Sequence, residues 1–313
     1  MGIQPLQFFR LLADNTINFF TGVPDSLLKQ LCLCIDDNVP NNRHVIAANE
    51  GNAIALATGY HLGTGELALV YMQNSGLGNA INPLLSLADP EVYSIPMLLL
   101  IGWRGEPGVK DEPQHVKQGK VQLDLMDSLK LPYTVISSND ADWESKVAKG
   151  IEISRSENCP YAIIVKKSTF DRYDGVEEQN ETDLMRREVA LEILLKYIPD
   201  DAVIVSTTGK TSREIFEIRE KNNEPHFKDF LTVGSMGHCS SIALGLALTQ
   251  PERKVICIDG DGAFLMHLGA LANVAKIQPN NFYHILMNNY VHESVGGQES
   301  AIDSINVQDI IRS

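Results

Sequence analysis

The sequence predicts an α/β protein made of two tandem doubly wound parallel sheets, and three observations lead there. Apolar runs of strand length alternate with helical patterns along the whole chain, the arrangement that covers a parallel sheet on both faces. The alternation is interrupted once, at residues 168–183, where the chain turns polar and loses its period. With 313 residues, 44% of them hydrophobic, there is enough chain for two cores. The expected organisation is a first domain over 1–167, a linker over 168–183 and a second domain over 184–313.

In the first domain, strands are expected at 17–20, 44–47, 67–72, 97–101, 133–136 and 161–165. Each is a short apolar run with turn or polar residues beside it. Helices at 26–34, 51–62, 79–87 and 143–154 fill the gaps. The segment 101–120 (IGWRGEPGVKDEPQHVKQGK) reads as a long polar loop, more than a plain connection needs. The second domain is expected to open with a helix at 184–197, with strands at 202–206, 231–233, 255–258 and 282–287 and a crossover helix at 265–276.

Composition narrows the class of function. A net charge of −14, from 26 basic and 40 acidic side chains, disfavours a broad footprint on nucleic acid. No apolar run approaches the roughly 20 residues of a membrane span. The five cysteines form neither C-x-x-C nor a Cys/His metal spacing, so they read as buried thiols in a reducing compartment. The N-terminus lacks the basic-then-apolar plan of a signal peptide. A cytoplasmic enzyme acting on a small molecule is the expectation.

The most informative segment is GDGAFLMHLGALANVAKIQPNNFYHILMNN, which starts at Gly260 and ends at Asn289. Asp-Gly or Asn-Asn alone is ordinary turn chemistry. Here Asp261, between Gly260 and Gly262, lies one strand–helix–strand unit before Asn288 and Asn289, so both motifs fall at carboxyl ends of neighbouring parallel strands. A carboxylate and an amide oxygen so placed can share a Mg²⁺ ion. Residues 207–214 (TTGKTSRE) follow a strand and open a helix, offering amides and hydroxyls to a diphosphate. Glu50, in HVIAANEGNAIALATGY, ends a short strand and opens a helix of small residues, which sets its carboxylate at a helix N-terminus. Gly234-Ser235-Met236-Gly237 precedes another such helix.

Together these residues resemble the thiamine diphosphate-dependent 2-oxo acid decarboxylases, and the resemblance covers nearly the whole chain. It implies a pyrimidine-binding half over 1–167 and a diphosphate-binding half over 184–313, with thiamine diphosphate and Mg²⁺ as cofactors. It implies that Glu50 hydrogen-bonds the aminopyrimidine ring and that Met236 wedges between the two rings of the cofactor. Thr208, Gly209, Lys210, Ser235, Gly260, Gly262 and Ala263 would complete the cofactor's surroundings. The metal would be held by Asp261, the Asn289 side chain and the Val291 carbonyl, with Asn288 as the neighbouring alternative. Asp25, His115 and His292 are the candidate acids, and Arg104, Lys110, Lys117, Glu293 and Ser294 the candidate substrate contacts. The expected reaction is decarboxylation of 3-phosphonopyruvate to phosphonoacetaldehyde, with sulfopyruvate as the alternative substrate. A noncatalytic binding or regulatory protein ranks lower, because sheet stability needs none of Glu50, Asp261 and Asn289. The resemblance also implies a homodimer or larger homo-oligomer with shared active sites. Relatives continue beyond the point where this chain ends, so the second half is expected to be incomplete.

Overall fold

The computed structural model describes residues 2–175, 184–292, 295 and 297–312. The chain divides into two compact units, Met1–Glu178 with Val295–Gln298 and Gln179–Ser294 with Glu299–Ser313. Residues 176–183 of the expected linker lie outside the described residues. Earlier in that stretch Phe170 is buried and packs edge-on against Phe8 at 5.2 Å.

In the first unit the elements run α1 (Pro5–Asp14), β1 (Phe20–Gly22), α2 (Lys29–Asn38), β2 (His44–Ile46), α3 (Glu50–Thr64) and β3 (Leu69–Gln73). They continue through α4 (Leu77–Pro83), β4 (Met97–Gly102), α5 (Pro113–Ser128), β5 (Tyr133–Ile136), α6 (Trp143–Glu157) and β6 (Pro160–Val165). Six strands form one parallel sheet in the order β2-β1-β3-β4-β6-β5. The central strands β4 and β6 are buried at every position, which is why their sequences MLLLIG and PYAIIV are continuous apolar runs rather than alternating ones. One core lies on each face of the sheet: Phe8, Phe20, Tyr71 and Ile163 belong to the first, Ile54, Met72, Leu99 and Ile164 to the second.

Several expectations need correction here. The loop expected over 101–120 is a loop only as far as Glu112. Pro113 then starts α5, its fixed φ suiting the first helical position, and the Trp103 indole donates to the Gly119 carbonyl at 2.9 Å. α1, absent from the expectation, is likewise started by a proline, Pro5, and buries Phe8 and Leu12. The helix expected from residue 26 begins at Lys29, because residues 25–28 form a turn in which the Asp25 side chain accepts from the Leu27 N–H. The strand expected at 17–20 is β1, shifted to Phe20–Gly22, and the helix expected at 79–87 is α4, followed by a π turn over Leu84–Ala88.

The second unit contains α7 (Arg187–Tyr197), β7 (Val203–Ser206), α8 (Lys210–Lys221), β8 (Asp229–Leu231), α9 (Cys239–Thr249) and β9 (Val255–Gly260). α10 (Asp261–Met266), α11 (Leu271–Ile277), β10 (Phe282–Met287) and α12 (Val307–Arg312) follow. Its parallel sheet has the order β10-β9-β7-β8, with Leu191, Ile204 and Ile258 in the core on one face and Val205, Ala243 and Cys257 on the other. The strand expected at 231–233 lies at Asp229–Leu231. The crossover expected as one helix over 265–276 is broken. His267 leaves helical geometry at φ −132°, ψ 45°, and a 3₁₀ turn over Leu268–Ala270 separates α10 from α11. No helix among the described residues is long and apolar enough to cross a membrane.

Candidate active site

Each unit gathers its chemistry at the carboxyl ends of its strands, where an α/β sheet leaves room for ligands. In the first unit, Asn49 caps α3 by accepting from the Asn52 N–H at 2.9 Å, which fixes Glu50 as the first helical residue. Glu50 is only 5% exposed, and its Oε2 accepts from Asn79 Nδ2 on α4 at 2.8 Å. A Cβ at Gly76 would collide with the same carboxylate.

Asp25, just past β1, is buried, with Oδ2 accepting from the Leu27 N–H at 3.1 Å. Its Oδ1 has no hydrogen-bond partner among the described residues. Gly102, the last residue of β4, leaves space for the Oδ2 that a Cβ would take. Burial pushes the Asp25 carboxyl up to about 6, against the opposing pull of the Arg104 charge. Arg104 is itself held: its Nε donates to Asp111 Oδ2 at 2.8 Å, its Nη1 to Ser26 Oγ at 3.0 Å, and its backbone is clamped by the Asn74 side chain. The Arg104 hydrogen bond keeps the Asp111 carboxyl well below the usual range. His115, in the first turn of α5, is buried, and burial followed by the Arg104 charge lowers its pKa. Lys110 and Lys117 are exposed.

The raised Asp25 pKa gives a stability prediction with a definite sign. Ionising Asp25 costs more in the fold than in the unfolded chain, so the cost is absent near pH 3.8 and below, grows through about 6 and is complete above it. Asp25→Asn is therefore expected to stabilise the protein by up to about 3 kcal/mol at neutral pH and to change little near pH 4. Urea midpoints at both pH values check this; a larger gain at the acid end would contradict the buried, proton-exchanging carboxyl.

In the second unit, β7 hands over to α8 through Thr207, Thr208 and Gly209, with Gly209 at φ +91°, a conformation open to glycine. Ser212 Oγ turns back to the Thr207 carbonyl at 2.6 Å and fastens this loop. Asp261, at the end of β9, is 7% exposed, and its Oδ1 accepts from the Gly262 N–H at 2.8 Å. Burial raises its carboxyl pKa. Beyond β10 the Asn289 side chain accepts from the Val291 N–H at 3.3 Å, while that of Asn288 accepts from Tyr290 at 3.0 Å. A pocket of about 110 Å³ is lined by Thr207, Thr208, Gly209, Lys210, Met236, Asp261 with its two flanking glycines, Ala263, Asn289, Val291 and His292. Ser235, at φ +55°, is exposed beside Met236. Burial lowers the His292 pKa, opposed by the Asp261 charge. Glu293 and Ser294 lie outside the described residues.

Two buried oxygens of this pocket, Asp261 Oδ2 and Thr207 Oγ1, have no hydrogen-bond partner among the described residues. An unpaired carboxylate oxygen on Asp261, in a pocket that Asn289 and Val291 also line, fits a hard cation such as Mg²⁺. The loop into the N-terminus of the 12-residue α8 fits a diphosphate. Sequence reasoning missed Asn79, Asn74 and Asp111, which position Glu50 and Arg104. It also missed Arg187, which lines the pocket while pairing with Glu214 at 2.8 Å. Only the Asp111 pairing had a local signal, an acid close to Arg104 within one polar loop.

Two parallel α/β units, one holding a buried glutamate at a helix start and the other a pocket whose lining fits a diphosphate and a hard cation, have the features expected of a cofactor-dependent enzyme of the thiamine type. Residues 7–128 match the N-terminal, and residues 207–308 the C-terminal, TPP binding domain of thiamine pyrophosphate enzymes. The chain is 36% identical to the phosphonopyruvate decarboxylase of Streptomyces viridochromogenes, over 90% of this chain and 73% of that protein. It is also 36% identical to that of Streptomyces hygroscopicus, over 90% and 72%. Identity to the sulfopyruvate decarboxylase of Methanosarcina acetivorans is 29%, over 93% and 76%. The chain belongs to the thiamine pyrophosphate enzyme family and is a homologue of the phosphonopyruvate decarboxylases.

Proposed function

We propose that the protein decarboxylates 3-phosphonopyruvate to phosphonoacetaldehyde and CO₂, using thiamine diphosphate bound through Mg²⁺. The observation that carries the cofactor reading is Asp261 Oδ2, a buried carboxylate oxygen without a donor in a pocket shared with Asn289 and Val291. The substrate reading rests on the names of the relatives with the higher identity. When bound, thiamine diphosphate supplies the carbon nucleophile and the electron sink that loss of CO₂ from a 2-oxo acid requires.

This chain's residues would supply the rest. Asp261, Asn289 and the Val291 carbonyl would hold the metal, and Thr208, Gly209 and Lys210 the diphosphate. Met236 would support the rings and Glu50 would bind the aminopyrimidine nitrogen, its orientation set by Asn79. Decarboxylation leaves a carbon that must gain a proton. Asp25, with its carboxyl held at about 6, is the first candidate donor, with His115 and His292 behind it. Arg104, fixed by Asp111 and Ser26, is the cation best placed to counter the acidic surroundings of Asp25 and an anionic substrate. We infer a homodimer or larger assembly in cells' cytoplasm, following the resemblance.

Parallel turnover assays with phosphonopyruvate, sulfopyruvate and pyruvate test the proposal, with CO₂ and aldehyde followed together. Preferential release of phosphonoacetaldehyde is expected, and turnover confined to sulfopyruvate would overturn the substrate. Thiamine diphosphate with Mg²⁺ at about a hundred times its Kd should stabilise the protein by about 2.7 kcal/mol, and chelation should abolish that gain.

A further inference from the structure

Four side chains behind the pocket are used by none of this chemistry. Cys239 opens α9, Cys257 and Asp259 lie two residues apart on β9, and His284 stands opposite Cys257 on β10. Cys239, Cys257 and Asp259 are each at most 2% exposed. The two sulfurs are 3.7 Å apart, and His284 Nε2 is 3.3 Å from Asp259 Oδ2. One donor atom from each of Cys239, Cys257 and Asp259 lies within 4.8 Å of the other two. None of the four lines the pocket that holds Asp261.

We infer that Cys239, Cys257 and Asp259, with His284 against Asp259 as the candidate fourth ligand, form a second, structural metal site, specific for a thiophilic divalent ion and filled by Zn²⁺. Tetrahedral zinc with Zn–S bonds of about 2.3 Å sets two thiolates about 3.8 Å apart, and with Zn–N and Zn–O bonds near 2.1 Å sets those ligands about 3.4 Å apart. The sulfur–sulfur separation of 3.7 Å and the His284–Asp259 separation of 3.3 Å are each close to one such edge. A disulfide would instead require the sulfurs to close to about 2.05 Å. The donor set agrees: two soft sulfurs with one imidazole and one carboxylate suit zinc and discriminate against Mg²⁺. A buried site of this kind fills as the chain folds. The ion would then tie α9, β9 and β10 together directly behind the strand end that presents Asp261.

The test uses the full chain loaded with Mg²⁺ and thiamine diphosphate. Zinc content is measured after chromatography in excess Mg²⁺, and a parallel preparation from zinc-depleted, cobalt-supplemented medium is examined by absorption spectroscopy. About one zinc per chain is expected, not displaced by Mg²⁺, together with near-ultraviolet thiolate-to-cobalt bands and the strong visible bands of a tetrahedral ion. Cys257→Ser should lose both the zinc and the thiolate bands. The wild-type cobalt spectrum decides even where that variant fails to fold. Absence of zinc, cobalt without thiolate bands, an intact mass showing a Cys239–Cys257 disulfide, or unchanged zinc in folded Cys257→Ser would each overturn the site.

Discussion

Replacing Glu50 by glutamine is expected to lower kcat about 10³-fold with the fold intact, the range that loss of a positioned acid–base group commonly gives. Glutamine is nearly isosteric, and its carbonyl oxygen can still accept from Asn79 Nδ2, so the buried hydrogen bond survives. The expected change in stability is below about 1 kcal/mol. What is lost is the carboxylate, the only group at this position able to hold a ring nitrogen's proton. The check has two parts: kcat at saturating cofactor, and the melting shift caused by thiamine diphosphate with Mg²⁺, which should persist. An unchanged kcat would remove Glu50 from the chemistry.

Asp261→Asn should produce the complementary result. The amide can still accept from the Gly262 N–H, so the turn after β9 is retained, but the buried anionic oxygen that has no partner among the described residues is gone. Metal affinity is expected to fall about 100-fold or more, taking activity and the cofactor-dependent melting shift with it. Without cofactor the variant should be no less stable near neutral pH, because burial raises the pKa of Asp261 and its ionised form is a cost to the fold. Mixing the two inactive variants tests the assembly. If sites are shared between chains, exchange of protomers should restore about a quarter of wild-type activity; if each chain completes its own site, it should restore none.

How much of this molecule is legible in its sequence depends on how local each signal is. Asp261 and Asn289 were legible because a βαβ unit places both motifs at adjacent strand ends, and the pocket holds them together. Buried central strands such as β4 were legible because burial on both faces leaves only apolar residues. The helix α5 was hidden, since its exposed polar residues outnumber its buried His115, Gly119, Gln122 and Met126 and its start is marked only by Pro113. The role of Asn79 could not be read at all: its contact with Glu50 joins two helices and follows from their packing. The same holds for the cluster around Cys257, where donors on α9, β9 and β10 have no common sequence spacing.

Gly76 and Gly102 carry a consequence for anyone mapping tolerance to substitution along this chain. Each stands where a single methyl group would strike a carboxylate, that of Glu50 and that of Asp25. Neither glycine has a side chain to take part in chemistry. In a saturation scan scored by turnover, both positions should nonetheless reject every replacement, alanine included, and rank beside the acids they face. The scan would outline the space around Glu50 and Asp25 through the side chains that are missing from it.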